Sequence, residues 1–333
     1  MSNGFSKSNG KPTLYIKAAN GNVLIVVLYV DDFIFIGNDK TLIGEFKEAM
    51  KNEFEMTNLG LLKYFLGIEV KQMHDGIHIS QEKYVGQILE RFKMQNSKAA
   101  PTPTTVGLKL SKEDSRKSVN PTLYKSMVGS LMYLTATRPD LMHAVSLISR
   151  FMETPRDSHW QAGKRILRYV KGTKGFGILY TTVNDFKLVG YTDSDWAGSI
   201  DDRKSTSGYM FHMGSGAISW ASKKQPIVAQ STAEAEYIAA NAAACQAIWL
   251  RRILTDLNER QEDGTTIYCD NISSIALSKN PVFHGRSKHI EIKYHFIREL
   301  VENGDIKMEF CKSEQQLADI FTKSFGIESF VHL

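Results

Sequence analysis

The stretch Leu188–Asp195, LVGYTDSD, decides the fold of the C-terminal half. A short apolar run that breaks into acids reads as a buried strand over 188–192, with Asp193 just past its end. Working outward from it, a hairpin follows over 207–213 and 216–221, turning at Gly214-Ser215-Gly216. A long helix is predicted over 232–256, then a strand over 265–269 that ends at Asp270. A short helix, a loop and a helix over 290–303 come next, and a strand over 306–311 and a helix over 314–323 close the unit. The order βββαβααβα describes a mixed α/β (α+β) unit of about 140 residues, large enough for its own core.

Upstream, residues 122–171 predict three helices, with Pro139 and Pro155 near helix starts, where proline is tolerated. The third helix, 157–171, sets Lys164, Arg168 and Lys171 at i, i+4 and i+7, with Arg165 beside them. That basic face is either a solvated stripe or a track for phosphates. Residues 95–121 form a linker rich in Lys, Ser, Thr and Pro. A helix over 81–94 capped by Ser80, a hairpin spanning 62–70 and 77–79, and a helix over 41–55 precede it. At the front stands NVLIVVLYVDDFIFIG, residues 22–37. Two β-rich apolar runs around Asp31-Asp32 predict a hairpin in a buried sheet.

The 333 residues carry 41 basic and 36 acidic side chains, a net charge of +5. The balance is uneven along the chain. Residues 101–185 hold 13 basic and 6 acidic groups, whereas residues 186–333 hold 16 and 19. Local charge, not the total, attracts a polyanion. Three scattered cysteines, Cys245, Cys269 and Cys311, build neither a disulfide framework nor a zinc pair, and suggest a reducing, intracellular setting. The longest apolar run, Val23–Val30, is eight residues. A membrane span needs about 20, so no membrane partner is expected.

Four acids take telling places. Asp193 and Asp270 each follow an apolar strand, Glu236 lies in the first turns of the long helix, and Asp319 lies in the last predicted helix. If the two strands are neighbours, the acids converge. Clustered carboxylates need a compensating cation, and oxygen-only donors select Mg²⁺ or Mn²⁺. Spacing alone leaves this open against the plain reading of acids at strand ends. Ser231-Thr232-Ala233-Glu234 fits a capping box, which gives Glu234 a structural task and leaves Glu236 for chemistry. Asp195 either supports the site or ends the strand. His284, His289 and His295 show no zinc-ligand pattern.

Long motifs then show a resemblance. Tyr29-Val30-Asp31-Asp32 resembles the active-site hairpin of copia-type (Pseudoviridae) retrotransposon reverse transcriptases, and Tyr64–Val70 (YFLGIEV) their primer-grip hairpin. YKSMVGSLMYLTATRPDLMHAV and HWQAGKRILRYVKGT are similar to the thumb and connection of the same Pol polyproteins. YTDSDWAGSIDDRKSTSGY, STAEAEYIAA, IYCDN and LADIFTK resemble their ribonuclease H domain. The resemblance implies a truncated palm over 1–80, a basic thumb and connection over 81–185, and a ribonuclease H-like domain with a mixed five-stranded sheet over 186–333. It implies Asp193, Glu236, Asp270 and Asp319 as the catalytic and metal-binding set, two Mg²⁺ or Mn²⁺ ions, and hydrolysis of the RNA strand of RNA–DNA hybrids. Asp31 and Asp32 match two of three polymerase metal ligands. Only 28 residues precede Tyr29, so little polymerase activity is expected from this chain alone; the rest of a Pol polyprotein is an expected partner, beside template-primer nucleic acid. The segment Cys311–Gln315 lacks the histidine that many ribonucleases H carry there. The competing expectation is a catalytically inactive nucleic-acid-binding relic.

Overall fold

The computed structural model describes residues 4–184, 186–279 and 291–325, with the backbone alone over 291–295. The chain divides into two compact units, one of Met1–Lys63 with Gln246–Asp263 and one of Tyr64–Cys245 with Gly264–Leu333.

The first unit holds an antiparallel sheet in the order β1 (Ser6–Lys7), β2 (Leu14–Ala19), β3 (Asn22–Tyr29) and β4 (Asp32–Gly37). Helix α1 (Lys40–Glu53) is capped by the Asp39 carboxylate, which accepts from the Leu42 amide at 2.7 Å. Its Phe46 packs edge-on against Phe5, Phe33 and Phe35, over buried Leu24 and Val26. On the opposite face Leu14 and Ile16, in register with Val27 and Ile25, are buried as well, whereas Tyr29, Val30 and Ile36 are exposed. Both faces of the sheet therefore bury apolar side chains, Leu24 and Val26 on one and Leu14 and Ile16 on the other. β1 and β2 lie before residue 22, where the sequence predicts no element.

The second unit opens with β5 (Tyr64–Phe65), β6 (Ile68–Gln72), β7 (Gly76–Ser80) and helix α2 (Glu82–Arg91). Helices α3 (Pro121–Leu134), α4 (Met142–Ser149) and α5 (Asp157–Gly172) then pack with α2 around Met127, Leu131, Ile148, Ile166 and Val170. Gln81, not Ser80, precedes α2, and its side-chain oxygen accepts from the Thr137 hydroxyl at 2.9 Å instead of capping the helix. After α5 the chain adds β8 (Gly177–Thr181) to the edge of β7, an antiparallel pairing distant in sequence.

The five-stranded sheet runs β11-β10-β9-β12-β13, built from β9 (Leu188–Ser194), β10 (Thr206–Met213), β11 (Gly216–Lys224), β12 (Thr265–Cys269) and β13 (Ile306–Phe310). β9, β10 and β11 pair antiparallel, while β12 runs parallel to both β9 and β13. This is the mixed sheet that the C-terminal motifs predict. Helices α6 (Thr232–Asp256), α7 (Ile272–Lys279) and α8 (Glu291–Glu302) accompany it. The helix predicted over 314–323 is absent. Two 3-10 turns, Ser313–Gln315 and Leu317–Phe321, take its place. Gln316 between them adopts an extended backbone, and its buried side chain bonds Thr192 O at 3.0 Å and the Ala318 amide at 3.1 Å. Those side-chain bonds replace the helical ladder.

Candidate active site

The parallel pairing of β9 and β12 brings the first two acids together. Tyr191 lies opposite Tyr268 in register. Asp193 and Asp270 lie two residues beyond these partners, so side-chain alternation sends both to one face at the carboxyl ends of two neighbouring strands. Asp193 is 1% exposed, and Glu236, on the first turns of α6, is 6% exposed. The Glu236 Oε1 accepts from the Ser194 amide at 3.2 Å, which ties the helix to the end of β9. Asp319 arrives on the second 3-10 turn. Oxygens of Asp193, Asp270 and Asp319 lie within 4.8 Å of one another, and Glu236, Cys269 and Asp270 form a second group of the same tightness.

Gly208 makes room for the segment that carries Asp319. A Cβ at Gly208 would sit 2.7 Å from the Phe321 Cβ and 2.8 Å from the Thr322 Cγ2. From the other side, the Phe321 carbonyl lies 3.2 Å from the His143 Nδ1 of α4, so that nitrogen carries the proton. Burial lowers the His143 imidazole to about 4, which keeps it neutral at physiological pH.

The electrostatics follow from this packing. Burial pushes Glu236 up to about 9, and Asp193 and Asp270 add to the rise against the Ser194 amide. Asp319 is pushed up to about 6 by burial and by Asp193. Burial also raises Asp193, against the pull of Lys323 and Thr322. These are carboxylates that lack a full complement of positive charge. Cys269 is a weak competitor as a ligand, because burial raises its thiol well above the ordinary range and sulfur suits soft ions.

Four partners of the acids escaped the sequence reading. The Thr322 hydroxyl donates to Asp193 Oδ2. Lys323 Nζ lies 2.8 Å from Asp319 Oδ1 and 3.4 Å from Asp193 Oδ1. Ser313 Oγ donates to Asp270 Oδ2 at 3.0 Å, in the segment where a histidine was missed. Cys269 Sγ sits 3.9 Å from Glu236 Oε2. The signal for Thr322 and Lys323 was in LADIFTK, where they follow Asp319 by three and four residues. Glu234 behaves as a cap: its amide donates to Ser231 Oγ at 3.2 Å, and its carboxylate accepts from the Gln230 amide at 2.9 Å. Asp195 accepts from the Thr206 amide, which holds the end of β9 to the start of β10.

The basic face of α5 is partly engaged inside the chain. Arg165 bonds Thr102 Oγ1 at 2.9 Å, Arg168 Nε bonds Lys98 O at 2.8 Å, and Lys171 Nζ bonds Ser97 O. Lys164 lies over the Trp160 ring at 5.5 Å. Asp31 and Asp32 belong to the first unit and the clustered acids to the second. Both are exposed at the β3–β4 turn, and among the described residues neither belongs to a group of three potential ligands. His284 and His289 lie outside the described residues, as does the side chain of His295.

The reverse transcriptase (RNA-dependent DNA polymerase) family matches residues 1–106. The Retrovirus-related Pol polyprotein from transposon TNT 1-94 of Nicotiana tabacum is 43% identical over 329 residues, covering 96% of this chain and 25% of its own length. The chain thus spans a quarter of that relative. The uncharacterized mitochondrial protein AtMg00810 of Arabidopsis thaliana is 37% identical over 226 residues, 68% of this chain and 94% of its own. Among solved structures, LC11-RNase H1 in complex with an RNA/DNA hybrid aligns at 13% identity and a TM-score of 0.31, covering 41% of this chain and 94% of its own. The reverse-transcriptase match at the front and the collinear likeness to a transposon polyprotein through nearly all the rest place the chain in the Pol polyprotein family of copia-type retrotransposons.

Proposed function

We propose that Asp193, Glu236, Asp270 and Asp319 form a ribonuclease H-type site that hydrolyses the RNA strand of an RNA–DNA hybrid, within the reverse-transcriptase region of a retrotransposon Pol polyprotein. The observation that carries this reading is the convergence of three carboxylates within 4.8 Å from β9, from the end of β12 and from a turn nearly 50 residues further on. The donor chemistry fits divalent ions. All four groups offer oxygen, the choice of Mg²⁺ or Mn²⁺. Burial and mutual repulsion hold Glu236 and Asp319 above the ordinary carboxylate range, the state that a bound cation reverses. When bound, a pair of such ions supplies charge neutralisation and activation of water against a phosphodiester.

The protein's own groups do the positioning. The Ser194 amide orients Glu236, the Thr322 hydroxyl orients Asp193, and Ser313 orients Asp270. Hybrid recognition is assigned to 2′-hydroxyls and to the phosphates that the basic stretch attracts. Lys164, Arg165, Arg168 and Lys171 are proposed as part of that track, since the N–H groups that an Arg keeps beyond one internal bond can still meet phosphate. Asp31 and Asp32 are proposed as a residual polymerase site that this cluster does not depend on.

The test is cleavage by the full chain of a hybrid labelled on its RNA strand, with Mg²⁺. RNA cleavage is expected, together with its loss in Asp270→Asn, a variant whose amide keeps the shape of the side chain and removes its charge. A folded protein that binds the hybrid with strong salt dependence and leaves the RNA intact would replace this reading with that of a non-catalytic relic.

A further inference from the structure

We propose that Lys323 is the internal counter-ion of the cation-free site, and that its ammonium competes with a divalent ion for the same oxygens of Asp193 and Asp319. The inference rests on the reading of these acids as metal ligands. It starts from geometry. Lys323 Nζ bridges one oxygen of each aspartate, at 3.4 and 2.8 Å, and both oxygens belong to groups within reach of a shared ion. An ammonium and a divalent cation use the same lone pairs, so both cannot sit there at once.

The arm is also built to leave. The Lys323 side chain is 42% exposed, whereas those of Asp193 and Asp319 are 1% and 10% exposed. Its backbone is anchored independently, with the Lys323 amide donating to Asp319 O at 2.9 Å. Withdrawal therefore needs only rotation of a flexible four-carbon stem into solvent, with the chain left in place. While the arm is docked, its ammonium lies against one oxygen of each aspartate. The acids are then held together before any metal arrives, and metal entry exchanges one cation for another.

Two measurements test this on the full chain. The first is the apparent Mg²⁺ affinity, read from the thermal shift on titration, in wild type, Lys323→Met and Lys323→Arg. Lys323→Met is expected to melt lower without metal and to bind Mg²⁺ about tenfold more tightly. Lys323→Arg is expected to stay near wild type. Unchanged or weaker binding by a folded Lys323→Met would overturn the proposal. The second uses wild type alone, so it survives a variant that does not fold. Amine acylation at Lys323, mapped by mass spectrometry, is expected to rise when Mg²⁺ is added; labelling that stays level or falls would overturn it. The underlying metal reading has its own control. If wild type shows no saturable Mg²⁺ shift that Asp193→Asn abolishes, that reading fails rather than the competition.

Discussion

At the scale of the residue, Glu236 makes the strongest demand on its surroundings. Burial and two nearby aspartates push it up to about 9 from an ordinary value near 4.5. A carboxyl raised on folding binds more protons in the native than in the unfolded state. Stability is then greatest below the unfolded value and is lost as pH rises toward the folded one. In the absence of divalent ions, urea denaturation at a series of pH values is expected to show stability falling from about pH 5 to about pH 9. Mg²⁺ is expected to flatten that slope, and Glu236→Gln to reduce it. Gly208 is a second point of sensitivity. A methyl there meets Phe321, the last residue of the turn that carries Asp319, and Thr322, which follows it, at under 3 Å. Gly208→Ala is expected to cost about 1–3 kcal/mol by overpacking, measured as a shift of the urea midpoint, and to weaken Mg²⁺ binding as that turn lifts.

At the scale of the element, α5 does two things with one face. In the sequence its basic side chains form a stripe for solvent or for phosphate. The structure adds a third use, since Arg168 and Lys171 bond the carbonyls of Lys98 and Ser97 and so staple the linker of residues 95–121 to the helix. Arg168→Ala and Lys171→Met are each expected to cost about 1 kcal/mol of stability and to speed limited proteolysis within residues 97–104. Lys164, stacked on Trp160, has no such linker bond among the described contacts. Lys164→Ala is accordingly the cleaner probe of phosphate contact. It is expected to lower the salt dependence of hybrid binding by about one unit of slope while leaving the unfolding free energy within about 0.5 kcal/mol of wild type in urea denaturation.

At the scale of the whole molecule, two sets of acids lie on different sheets of different compact units. Asp31 and Asp32 sit at an exposed turn of the first unit's sheet, where Val30 takes a left-handed backbone with φ of 53°. The four clustered acids belong wholly to the second unit. The proposed hydrolysis uses only the second set, so Asp31→Asn with Asp32→Asn is expected to leave the rate of RNA cleavage unchanged, measured on the labelled hybrid. A loss of cleavage in that variant would mean that the two sets act together. Among the described residues no helix is long and apolar enough to cross a membrane, in keeping with the short apolar runs of the sequence.

The sequence by itself determined the strands around Asp193 and Asp270, the long helix with Glu234 as cap and Glu236 beyond it, and the membership of the family. Each of these rests on local signals: apolar periodicity, a capping pattern, and motifs in fixed order. Only the tertiary structure decided what those signals cannot encode. The parallel register of β9 and β12 sets Asp193 beside Asp270 across more than 70 residues of chain. Gln316, by bonding Thr192 O, turned an expected helix into two tight turns and delivered Asp319 and Lys323 to the same acids. β8 joined β7 across nearly 100 residues, and the basic face of α5 found the linker. These are contacts between residues distant in the chain, and their free energy comes from burial and pairing in the folded state, so no short window of sequence carries it.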